Sequence, residues 1–66
     1  MITIGKKYNA EMMDYDKSVG SILHYVTVTV VCQWCQGPSG IFWCATIDED
    51  SDGVLRLWRE SELKGV

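Results

Sequence analysis

From Ile22 to Trp34 the even positions Ile22, Val26, Val28, Val30, Cys32 and Trp34 are apolar, with His24 the exception, while Tyr25, Thr27, Thr29 and Gln33 at odd positions are more polar. A period of two with β-branched residues throughout predicts a strand that buries one face. The turn residues Gln36-Gly37-Pro38-Ser39-Gly40 follow, and alternation resumes from Ile41 to Ile47 with Ile41, Trp43, Ala45 and Ile47 on one side. These two runs predict a hairpin. Its register stays open: pairing symmetric about Pro38 sets Cys32 opposite Cys44 and makes a disulfide feasible, whereas a one-residue shift pairs the apolar faces and separates the thiols.

Asp48-Glu49-Asp50-Ser51-Asp52-Gly53 reads as a second turn, because short polar side chains close Asx-type turns and Gly53 accepts a positive φ. Val54 to Arg59 then predicts a third strand, with Leu55 and Leu57 on the core face and Arg56 and Trp58 opposite. Ser61-Glu62-Leu63 has the length of one helical turn, and Lys64-Gly65-Val66 of a strand stub. The N-terminal third admits two readings. Ile2, Ile4, Tyr8, Ala10 and Met12 share a parity that suits a strand interrupted at Gly5, while Asn9 could instead cap a short helix from Ala10 to Tyr15. Asp14 to Gly20 reads as loop under both.

Four or five short strands in a chain of 66 residues are too few for a two-sheet sandwich. They predict one mostly β domain over residues 1–66, a small antiparallel barrel with one short helical turn near the C-terminus. The order of long N-terminal loop, strand, short loop, Phe42-Trp43-Cys44-Ala45, acidic turn, Gly53-Val54, helical turn and final Val66 resembles an SH3-like small barrel over about the last 45 residues. The resemblance implies that Phe42 takes the place of the aromatic lining the ligand groove and Ala45 that of the small core residue. The proline expected after the last long strand is absent, since Pro38 is the only one, and the usual Ala-Leu-Tyr-Asp-Tyr type opening is missing. What is implied is therefore the shape, without proline-peptide recognition.

Charge narrows the function classes. The net charge is −3, and residues 34–66 carry six acidic against three basic side chains. A phosphate-tracking surface needs clustered lysine and arginine, and only Lys6 and Lys7 adjoin, so a nucleic-acid-binding barrel ranks last among the alternatives. A hydrophobic fraction of 47% is generous for a body this small, so some apolar surface is expected to face a partner. No run approaches a membrane span, and the opening residues lack the order of a signal peptide, from which a cytoplasmic protein is expected. Three cysteines, an odd count, fit reduced thiols better than a disulfide framework.

The residues that could carry chemistry are few. Cys32-Gln33-Trp34-Cys35 is a C-x-x-C, and with Cys44 and His24 it offers four candidate zinc ligands. Within a regular strand, however, a C-x-x-C sends its thiols to opposite faces. Neither a helix N-terminus nor a nearby cation is visible to lower a thiol pKa for redox work. Asp48-x-Asp50-x-Asp52-Gly53 matches the first half of a calcium loop, yet the twelfth position, where a bidentate glutamate belongs, is Arg59. His24 is the only histidine and no spacing gives it a catalytic partner, so no enzymatic activity and no cofactor are expected.

What remains is a surface. Tyr25, Phe42 and Trp58 fall on faces opposite the assigned core residues, and aromatics there are the usual anchors of a protein interface. The competing reading is that these rings complete the core of a strongly bent barrel. The leading expectation is a non-catalytic binding module or small accessory protein that engages a protein partner or itself, as an oligomer, through Tyr25, Phe42 and Trp58. The first alternative is a zinc-stabilised domain held by His24, Cys32, Cys35 and Cys44.

Overall fold

The computed structural model describes residues 1–38 and 40–66, and Ser39 of the first turn lies outside the described residues. Five strands, β1 (Lys7–Asp16), β2 (Gly20–Gly37), β3 (Gly40–Ile47), β4 (Arg56–Arg59) and β5 (Leu63–Gly65), form one antiparallel sheet in the order β4-β3-β2-β1-β5. A 3-10 turn, Glu60–Glu62, joins β4 to β5, and Glu62 Oε1 accepts a hydrogen bond from the Arg59 backbone N–H at its start. The mostly β fold with a single short turn near the C-terminus is the one the alternation predicts.

The short connection between β4 and β5 dictates the curvature. In a flat five-stranded sheet the edge strands would stand about 19 Å apart, four spacings of roughly 4.8 Å. Arg59 and Leu63 are only four residues apart in sequence, which spans at most about 14 Å. The sheet therefore coils, bringing its edges together over one face. The Trp58 indole N–H of β4 accordingly donates to the Glu11 carbonyl of β1 at 2.7 Å.

That inner face is the core. Tyr8, Ala10, Val28, Val30, Trp43, Ala45, Ile47, Trp58 and Leu63 are buried on it together with Ile2, and Met12, Val26 and Ile41 pack against them. The shared parity of Tyr8, Ala10 and Met12 thus marks a strand, and the helix from Ala10 to Tyr15 does not form. The strand also runs on through Asp14 to Asp16, so the loop there is shorter than the polar run suggests.

Lys17, Ser18 and Val19 make that loop, since Asp16 still pairs with Gly20. The Asp16 carboxylate accepts from the Ser18 backbone N–H and hydroxyl, which holds its pKa below the ordinary carboxylate value, the hydroxyl bond being the larger cause. Gly20 closes the turn at φ +85°, a backbone that side-chain-bearing residues rarely adopt.

The face assignment of the third strand is corrected. Trp58 is 5% exposed, while Leu55 and Leu57 are 53% and 49% exposed. Trp58 stands opposite Trp43 in the ladder, and Leu57 opposite Cys44. Since Trp43 belongs to the core face, pairing decides the parity, and the larger ring fills the coil.

Candidate functional site

The second face of the sheet is built by two irregularities in β2. Val30 pairs with Ala45, but Cys32 pairs with Cys44 and Cys35 with Phe42, so the register shifts twice, between Val30 and Cys32 and between Gln33 and Cys35. Each β-bulge leaves one extra residue on β2, Val31 in the first and Trp34 in the second, and adds local bend and twist. Both registers that the sequence leaves open are consequently present. Below the first bulge the apolar faces pair, and above it Cys32 faces Cys44. The bulges also defeat the strict alternation that put Cys32 and Trp34 with Val30: Cys32 pairs with a residue of the second face, and Trp34 is 61% exposed.

Two apolar patches result. On one, Trp34, Cys44, Leu55 and Leu57 line an open recess of about 230 Å³. The other lies on the ribbon of β1 and β2, where Met13 pairs with Leu23, Tyr15 with Ser21 and Tyr25 with Glu11. Met13, Tyr15, Leu23 and Tyr25 are all exposed, Tyr15 to 75%. Between the patches runs a polar bar. Lys7 Nζ bonds Asp48 Oδ2 and the Thr29 hydroxyl, and that hydroxyl donates to Asp48 Oδ1 at 2.7 Å. The Lys7 and Thr29 bonds, in that order, hold the Asp48 carboxyl below its ordinary pKa.

The residues expected to anchor a partner divide. Tyr25 is 55% exposed on the second face. Phe42 lies on the same face, half-buried, with the Arg59 guanidinium 5.7 Å from its ring centroid, within reach of a cation–π contact. Trp58 is enclosed in the core and cannot be a surface anchor without unfolding, because its ring fills the coil and its N–H is bound to Glu11. Met13, Tyr15, Leu23, Trp34, Leu55 and Leu57 join Tyr25 in the two exposed patches and are not among the expected anchors. The parity of Met13 and Tyr15, opposite to that of Tyr8 and Ala10, is the signal that could have found two of them.

The candidate zinc ligands do not converge. The three cysteines gather on the upper second face, whereas His24 sits opposite Met12 in the ribbon, eight residues back along β2, with its ring against the Asp14 carboxylate. Among the described residues no three His, Cys, Asp or Glu side chains are grouped to hold a metal ion. Asp48 is turned to Lys7, and Asp52 Oδ1 accepts from the Val54 backbone N–H at 3.1 Å, so the acidic turn spends two carboxylates on its own shape. Among the described residues no helix is long and apolar enough to cross a membrane. Comparison of the chain with protein-family models, with curated proteins and with solved structures finds no match in any of the three.

Proposed function

We propose that this chain is a non-catalytic binding module, an SH3-like small barrel in shape, that engages a protein partner or a second copy of itself through the second face of its sheet. The shape is supported by the strand order, which sets β5 beside β1 and leaves a lone 3-10 turn between β4 and β5. The observation that carries the binding reading is the pair of exposed apolar patches around Tyr25 and around Trp34, Leu55 and Leu57. Exposed apolar residues scattered singly need no explanation, but contiguous ones on a sheet face support the reading of a docking surface.

Area points the same way. The accessible surface is 4651 Å². A compact monomer of this mass, 7.5 kDa, exposes about 4,250 Å². The outer edge of the ribbon is covered by β5 only at Tyr8, Asn9 and Ala10. An uncovered strand edge with apolar side chains beside it favours association. A cytosolic setting is part of the proposal, supported by three thiols that stand free.

The test is sedimentation of the wild type over micromolar concentrations, alone and with host extract, beside Tyr25→Ser and Leu57→Ser. Association that either substitution abolishes, with the circular dichroism unchanged, is the expected result. A monomer at every concentration that recovers no partner from extract would overturn the proposal.

A further inference from the structure

We propose that Cys32 and Cys44 form a thiol–disulfide exchange site on the second face, cycling between two free thiols and one cross-strand disulfide in reaction with a low-molecular-weight disulfide such as glutathione disulfide. The ladder carries the inference. Cys32 and Cys44 are direct partners across β2 and β3. Directly opposite residues of antiparallel strands hold their Cα atoms about 4.5–5.5 Å apart, inside the range of roughly 4.4–6.8 Å that disulfides span. Both side chains share one face, because the bulge at Val31 turns Cys32 to the side of Cys44.

Cys35 is the natural competitor, and geometry ranks it second. Its direct partner is Phe42, so Cys44 lies diagonally from it. Diagonal neighbours stand about 7–8 Å apart, beyond the disulfide range. Access sets the order of events. Cys44 is buried and Cys32 half-buried. Burial first, and then hydrogen bonding with Cys32, pushes the Cys44 thiol pKa up, which leaves Cys32 as the attacking group.

The Cys32 thiolate attacks one sulfur of the external disulfide, whose S–S bond breaks as a mixed disulfide forms at Cys32, and the first small thiolate leaves and takes up a proton. The Cys44 thiol then loses its proton and attacks the Cys32 sulfur. The mixed disulfide breaks and the second small thiolate leaves and is protonated. Two protein thiols are oxidised to one disulfide, and one external disulfide is reduced to two thiols.

The experiment equilibrates the whole chain in mixtures of reduced and oxidised glutathione, quenches with an alkylating reagent under denaturing conditions, and reads intact mass and peptide maps. The expected result is that alkyl groups taken up fall reversibly from three to one, with a mass loss of about 2 Da between the unalkylated forms and Cys32 joined to Cys44. Cys35→Ser should keep the mass loss and Cys32→Ser should abolish it while circular dichroism reports the fold intact. Three alkylatable thiols at the most oxidising ratio, or a bridge that maps to Cys35 or joins two chains, would overturn the proposal.

Discussion

On the inner face Trp43 and Trp58 stand opposite each other and are 7% and 5% exposed, whereas Trp34, on the outer face of the same sheet, is 61% exposed. Leucines divide likewise, with Leu63 at 6% and Leu55 and Leu57 near one half. Tryptophan and leucine occur on both faces, so residue type alone does not decide where these side chains are buried. Curvature does. A three-residue connection pulls the edge strands together over the inner face, and two bulges in β2 bend the strand and turn Trp34 outward. The sheet has one inside, and apolar residues left on its convex side are available to another molecule.

The strongest break of this comparison exchanges one tryptophan of each face, Trp58 and Trp34, for alanine. Trp58→Ala empties a buried ring site and removes the hydrogen bond to Glu11, and such truncations cost about 3–5 kcal/mol. A domain this small commands only about 3–5 kcal/mol in all, so the variant should be largely unfolded by circular dichroism without denaturant. Trp34→Ala should shift a urea transition by less than about 0.5 kcal/mol yet weaken association. Equal losses of stability in the two variants would mean that the outer face is also core.

A smaller effect tests whether the ribbon patch is preformed. Gly20 holds φ +85° with open space around a would-be Cβ, so Gly20→Ala should cost about 1–2 kcal/mol through the backbone alone. A preformed patch would lose association along with stability, because Met13, Tyr15, Leu23 and Tyr25 hang on that turn. Binding unchanged in Gly20→Ala would assign docking to the recess of Trp34, Leu55 and Leu57 instead.

The strands of the core face were legible because period-two alternation is a direct image of one-sided burial, and it held over Tyr8 to Met12, Val26 to Val30 and Ile41 to Ile47. It misled above Val30. The first bulge inserts one residue and inverts the parity until the second bulge restores it, which sent Cys32 and Trp34 to the wrong face. It also misled at β4, where Leu55-Arg56-Leu57-Trp58 offers two plausible faces and only the pairing of Trp58 with Trp43 decides. Of the expected surface residues, Tyr25 was found because its strand is regular, and Trp58 was lost to that ambiguity. Nothing local in the sequence marks a bulge here, since no glycine sits at Val31 or Trp34.

The smallest effect concerns the polar bar that separates the two outer patches. Asp48 has its folded pKa below the ordinary value of 3.8, because Lys7 and then Thr29 bond its charged form. A depressed carboxylate pKa contributes stability that is present above the unfolded pKa and is lost as pH falls through the folded one. Wild type should therefore be more stable than Asp48→Asn at about pH 7, and the difference should close as pH drops below that ordinary value. Asp16 is depressed in the same direction by Ser18, but it is common to both proteins and cancels in the difference. The gap should also narrow in about 1 M salt, where charges on the surface are screened. Denaturation series at three or four pH values measure it. A gap that widens on acidification would mean that neither Lys7 nor Thr29 bonds the Asp48 carboxylate in the folded protein.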